Sequence, residues 1–256
     1  MLHDRRRRAQ SFGWRQAPLF CSAVLGALLV ACGCGTRRVT IPVLPPLLER
    51  PTEPVLWHEP FDHVDPSRWR EIEVKGQTTY EVVTVDGRSC LRAESRGGAS
   101  ILLAPLRFNP DKYEWLSWDW RVERHVDGED LKRKQGSDAA ARVYVYFDTP
   151  GLPWQRRNLD YVWSAVLPFG TLLSSAFSPT SKILVADSGP ASGDGWRRVQ
   201  RNLEEDYERV FGGHPPDVVA IGLMTDADNT GTHAVAYFDD MRISRTPPRP
   251  PHKAGK

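Results

Sequence analysis

Ala220-Ile-Gly-Leu-Met-Thr225, the loop Asp226-Ala-Asp-Asn-Thr230-Gly231, and Ala234-Val-Ala-Tyr-Phe-Asp-Asp-Met-Arg-Ile243 form the stretch that decides the fold. Two apolar, β-prone runs flank a loop whose Asp, Asn and Thr side chains hydrogen-bond their own backbone and whose glycine tolerates positive φ. The pattern predicts a β-hairpin over 220–243, with its strands as the closing pair of an all-β domain. The loop also holds the densest group of oxygen ligands in the chain.

Upstream, most signals are again strands. Tyr80–Val85 and Ser89–Ala93 flank Asp86-Gly87, a hairpin turn. Leu116, Trp118, Trp120 and Val122 alternate with Ser117, Asp119, Arg121 and Glu123, so the first set faces a core. From 139 to 148, Ala141, Val143, Val145 and Phe147 oppose Arg142, Tyr144, Tyr146 and Asp148 in the same way. Tyr161–Ser164 and Ile183–Ala186 read as further strands. One helix is predicted: Asn202 caps it, Leu203, Tyr207, Val210 and Phe211 fall at helical spacing, and Gly212 stops it. Many short strands with turns between them and one short helix predict an antiparallel, jelly-roll-like β-sandwich over 55–244.

The ends read differently. Arg5–Arg8 are basic and Leu19–Val30 is an apolar run of about a dozen residues, short of the roughly 20 a membrane span needs. The order basic start, apolar run, Ala31, Cys32 resembles a lipoprotein signal peptide over 1–31, which implies that Cys32 is acylated and becomes the N-terminus. An ordinary signal peptide with Cys32 incidental is the alternative. Several acyl chains on one residue anchor stably. Asp is absent after Cys32; by the sorting rule of lipoproteins this implies the cell envelope, anchored in the outer membrane and facing the periplasm. Residues 32–54 are a Pro-rich linker, and 245–256 a basic, Pro-rich, disordered tail that is a candidate contact for anionic lipid or peptidoglycan. Cys90 reads as a buried small hydrophobe.

The chain carries +2 overall. With the excess positive charge placed in the signal, linker and tail, the folded region is near −7, the wrong sign for a nucleic-acid binder. The domain is expected to be a monomer. No cysteine and histidine spacing matches a zinc site, and the histidines fall in apparent loops.

Several motifs occur together: Trp118-Asp119-Trp120, Asp127 through Asp138 to Arg142, Tyr161-Val162-Trp163, Glu205-Asp206-Tyr207, and Met224 through Gly231. In this order they resemble the bacterial exported proteins of domain-of-unknown-function family 3047, over roughly 79–243. The resemblance implies a secreted β-rich domain in which Asp138, Arg142 and the Asp226–Thr230 loop recur, and implies no activity. The chain departs from the family's pattern at Ser137, where a second acid is usual, and at Asp239-Asp240, where Gly-Asp is usual. Glu59-Pro60-Phe61-Asp62 and Tyr237–Ile243 are more distantly similar to the ends of jelly-roll carbohydrate-binding modules. In those modules the first and last strands pair, often around a structural calcium.

Three site readings remain open. Asp226, Asp228 and Thr230 mimic the first half of a calcium loop, with Tyr237 where the closing acid would stand and Asp239 or Asp240 as substitutes from the returning strand; the alternative is a loop held by side-chain-to-backbone hydrogen bonds. Asp138, Arg142, Tyr144, Tyr161, Trp163, Asp226, Asp228 and Asn229 are the candidate ligand-binding residues, since aromatic faces beside charged hydrogen-bonders suit sugars. Arg142 in a buried structural salt bridge with Asp138 or Asp226 is the plainer reading. Catalytic residues are not identified; a glycoside hydrolase would need two carboxylates, with Asp138 and Asp226 or Asp228 the pair to test. The sequence therefore points to a lipid-anchored envelope protein that binds a glycan or glycoconjugate, with a hydrolase or a ligand-free structural protein as alternatives.

Overall fold

The computed structural model describes residues 44–50, 52–150, 155–191 and 195–247. The predicted signal peptide 1–31, Cys32, the linker up to residue 43 and the tail from 248 onward lie outside the described residues. The first seven strands are β1 (Val55–Glu59), β2 (Arg70–Lys75), β3 (Thr78–Val85), β4 (Arg88–Arg96), β5 (Ala99–Phe108), β6 (Trp115–Arg124) and β7 (Ala141–Phe147). Then come β8 (Asn158–Ser164), β9 (Leu172–Ser174), β10 (Ser181–Ser188), β11 (Arg197–Asn202), α1 (Leu203–Phe211), β12 (Val218–Met224) and β13 (His233–Ser244). No helix among the described residues is long and apolar enough to cross a membrane.

The strands form a two-sheet sandwich. One sheet runs β11-β6-β13-β4-β3, with β1 on the second half of β13; the other runs β2-β5-β12-β7-β8-β10-β9. Pairing is antiparallel except between β8 and β10, which run parallel. First and last strands do pair, with Glu59 opposite Met241. The alternation on β6 is as read: Leu116, Trp118, Trp120 and Val122 are fully buried. They meet Val143, Val145, Phe147, Tyr161 and Trp163 from the facing sheet, and the rings interlock, with Trp118 5.5 Å from Tyr161 and Trp120 5.8 Å from Trp163. Such aromatic contacts add to the area they remove from water.

The β3–β4 hairpin forms around Asp86 and Gly87, both at positive φ, as a two-residue turn requires. The helix also forms as predicted: the Asn202 side chain accepts from the Glu204 and Glu205 N–H groups, and Gly212 ends it at φ 74°. Cys90 is buried, which pushes its thiol up to about 11. The last linker residues are not a free spacer, because Leu48 N–H donates to Arg107 O and Arg50 N–H to the Tyr113 hydroxyl.

The stretch 220–243 is not a hairpin. β12 lies between β5 and β7 in one sheet, and β13 between β4 and β6 in the other. Thr225–Thr232 crosses from one sheet to the other as an arch. It lies beside the β4–β5 crossing, where Ala227 N–H donates to Gly98 O and Gly97 N–H to Thr232 O. Two apolar strands and a polar loop have the same pattern in either arrangement; the partners of each strand, far away in sequence, decide between them.

Candidate functional site

The outer face of the seven-stranded sheet is the floor of a groove of about 900 Å³. On β7, Arg142, Tyr144 and Tyr146 alternate outward as read from the sequence, and on β8 Asn158 and Asp160 do the same. The half-buried Tyr144 and Tyr146 rings stack, with centroids 5.8 Å apart and planes at 22°. Gly222 on β12 pairs with Tyr144, and a Cβ there would lie 2.9 Å from Ile101 Cγ2 and 3.5 Å from Tyr144 Cβ, so the glycine keeps this floor low. One wall is Glu73–Gly76; the other is built by Lys134, Ser175, Phe177 and Ser178.

The charged end of the floor is organised by Arg142. Its Nε donates to Asp226 Oδ1 at 2.8 Å, Nη1 to Asp160 Oδ2 at 2.5 Å and Nη2 to Ser137 O at 2.7 Å. Asp226 Oδ1 also accepts from Ala139 N–H at 3.0 Å. Two carboxylates thus share one guanidinium, and all three groups are buried. Burial pushes Asp226 up to about 7 against the pull of Arg142, with the neighbouring Asp138 adding to the rise. Burial raises Asp160 as well, again opposed by Arg142. Tyr144 is held well above its ordinary value by burial and then by the Asp160 charge. Asp160 Oδ1, though buried, has no hydrogen-bond partner among the described residues.

Asp138 has a different task. It is fully buried and accepts from Asn229 Nδ2, Thr230 N and Thr230 Oγ1, each at 2.7 Å, and from Asn229 N. It clamps the arch from behind and supplies the acceptors that the crossing backbone lacks. Asp228 sits at the groove's rim, 3.6 Å from Lys75 Nζ.

The predicted site residues therefore divide. Arg142, Tyr144, Asp226, Asp228 and Asn229 converge on the groove. Asp138 touches them from inside and does not line it. Tyr161 and Trp163 leave the ligand set, because the register of β8 turns them into the core, where the Tyr161 hydroxyl donates to Asp206 and Trp163 Nε1 to Gly189 O. The predicted metal ligands also change. The Thr230 hydroxyl is committed to Asp138, and the oxygens that gather within 4.8 Å of one another belong to Asp138, Asp226 and Asp228. Asp239 and Asp240 cannot close a calcium loop there, being held on the other sheet by Arg88 and Arg198. These carboxylates are close neighbours, as a hydrolytic pair must be, yet Asp138 has no exposed surface and both its oxygens are occupied by donors.

Asp160 and Asn158 are groove residues that the strand readings missed. The parity of Asn158-Leu159-Asp160-Tyr161 separates Asp160 from Tyr161, and taking the ring as the core side would have found it. The histidines are not all in loops, since His58 lies in β1 and His233 in β13; His125, in a loop, is half-buried against Trp163, and that burial lowers its pKa.

A β-sandwich with a tyrosine-floored groove on one outer face is the class of protein these features define. The chain belongs to the family described as Protein of unknown function (DUF3047), which matches residues 67–242. No curated protein matches it. Among solved structures it is similar to a family 30 carbohydrate-binding module at 16% identity and a TM-score of 0.41, covering 73% of this chain and 86% of that one. A second family 30 module, from a cellulosomal cellulase of Clostridium thermocellum, gives 15% identity and 0.40, covering 74% and 98%. A family 28 module specific for non-crystalline cellulose gives 12% and 0.40, covering 73% and 92%. At these identities and scores the similarity concerns architecture, and the groove has to be read from its own residues.

Proposed function

We propose that the groove binds a glycan or glycoconjugate of the cell envelope, and that Cys32 carries the lipid that holds the protein there. The observation that carries the first part is the stacked Tyr144–Tyr146 pair on a groove floor bordered by Asp160, Asn158 and Asn229. A sugar ring lays its C–H face on such rings while its hydroxyls reach polar groups at the edge. The experiment is a glycan array probed with the full chain in mild detergent; binding to at least one polysaccharide or peptidoglycan fragment is expected, and an empty array refutes it.

The anchor rests on the order of basic start, apolar run and Cys32. Cys32→Ser is expected to move the protein from the membrane to the soluble envelope fraction. Unchanged fractionation would remove the anchor and, with it, the outer-membrane placement.

A further inference from the structure

We propose that the β9 edge of the seven-stranded sheet, with the turn that precedes it, rests on a membrane surface of anionic phospholipid, Val166 and Phe169 entering its headgroup layer. The inference stands apart from the glycan reading of the groove. Singly exposed apolar side chains are ordinary. Here four of the six large ones exposed among the described residues, Val166, Phe169, Leu172 and Phe177, fall between residues 166 and 177. Local structure turns them outward. Leu167 and Leu173 pack on Leu131, Ile183 and Val185, while Val166 and Leu172, their neighbours in sequence, stay 64% and 38% exposed. Thr171 N–H donates to Pro168 O at 3.2 Å and Gly170 stands at φ 79°, a β-turn that holds Phe169 at its tip, 65% exposed.

The charges beside these side chains say what covers them. The folded region is acidic as a whole, yet residues 131–137 and 165–186 contain Lys132, Arg133, Lys134 and Lys182 and no carboxylate. Three cations touch the edge itself: Lys134 Nζ lies 5.6 Å from the Phe177 ring centroid, Lys182 Nζ donates to Ser174 Oγ at 2.7 Å, and Arg209 Nη2 donates to Gly170 O at 3.1 Å. Each of these partners is neutral, which leaves the positive charge for an anionic one. Apolar side chains interleaved with lysine and arginine are the composition of a membrane-surface element, whose rings and methyl groups enter the boundary while its cations meet phosphate. A protein partner would need a recess matched to a protruding turn; a fluid headgroup layer has no shape to match.

The Cys32→Ser protein, which carries no acyl chains, is floated with vesicles of phosphatidylglycerol and of phosphatidylcholine at physiological salt. Were Cys32 unmodified in the first place, wild type would serve instead, so the test does not hang on the anchor. Partition onto phosphatidylglycerol is expected to exceed that onto phosphatidylcholine by about tenfold or more. In the same background Phe169→Ser should lower it by about tenfold, and Lys132→Gln combined with Lys134→Gln by roughly thirtyfold. These side chains are exposed, and thermal melts report whether each variant keeps its fold. Leu47→Ser, at an exposed leucine beside β5 on the far side of the sheet, should change nothing. No binding to phosphatidylglycerol, equal binding to both lipids, or an equal loss in Leu47→Ser overturns the inference. So does binding that survives both the Phe169 and the lysine variants, which would place the contact in the basic tail. A dimer in solution that Phe169→Ser dissolves, in place of vesicle binding, would give the edge to a second copy and overturn it too.

Discussion

The two outer faces of the sandwich solve the same problem differently. Both carry arginines and carboxylates on β-strands. On the six-stranded sheet five arginines balance five carboxylates: Arg88 meets Asp119 and Asp239, Arg198 meets Asp119 and Asp240, Arg242 meets Asp240, Arg92 meets Glu81 and Glu94, and Arg96 meets Glu94. On the seven-stranded sheet one arginine serves two carboxylates under a groove, and Asp160 Oδ1 is a carboxylate oxygen that no donor in the described residues meets. Charged residues on a strand face do not by themselves mark a site. What marks one is an arrangement that the protein's own groups leave incomplete, where solvent or a ligand has room to complete it.

The comparison breaks most easily through its arginines. Arg142 is 3% exposed, so Arg142→Ala would strand Asp160 and Asp226 without a counter-charge and should lower unfolding stability by about 3–5 kcal/mol. Arg92 is 20% exposed between two acids, and Arg92→Ala should cost about 1 kcal/mol or less. Urea unfolding of the two variants measures both values. Similar losses would mean that the two faces are electrostatically alike and that burial of Arg142 does not set its site apart.

Proton linkage sharpens the same contrast. Asp226 sits at about 7 when folded and at 3.8 as a free side chain, so between those values the native state holds a proton the unfolded chain has released. The stability this contributes is fully present below about 3.8 and is lost as pH rises through 7. Wild type should therefore gain on Asp226→Asn as pH falls from 8 to 5, at a steepest rate on the order of 1 kcal/mol per pH unit. Denaturation at several pH values checks it, and parallel curves for the two proteins would show that Asp226 does not titrate in this range. Asp240, on the opposite face, is shifted downward by Arg242 and Arg198 despite its partial burial, so its linkage has the opposite sign.

Much of this was legible in the sequence for a simple reason. Alternation with a period of two fixes which side chains share a face, and on β6 and β7 the large apolar set identified the inner one without ambiguity. On β8 the decisive question was which set faces inward. Tyr161 and Trp163 look like a sugar platform as readily as a core, and only their contacts with Trp118 and Trp120 settle it. The arch was misread for a related reason: local sequence specifies the strand and the turn chemistry of 225–232, while the choice of sheet is made by β4, β5, β6 and β7. Asp138 shows the same limit. Its recurrence with the Asp226–Thr230 loop was visible as a motif, but its role as a clamp lies in four donors some ninety residues away.

Calcium provides the smallest expected effect and the subtlest test of how the two faces differ. An acidic trio with oxygens inside 4.8 Å looks ready for a hard cation. Yet Asp138 has spent its oxygens on Asn229 and Thr230, and Asp226 already has the Arg142 guanidinium 2.8 Å away, a positive charge where the ion would bring its own. Calcium would have to displace hydrogen bonds that hold the arch together, so adding it, or EDTA, should leave the thermal midpoint unchanged. A clear upward shift with calcium would mean that Asp138 turns from clamp to ligand, and that the arch is set by the ion and not by the hydrogen bonds of Asn229 and Thr230.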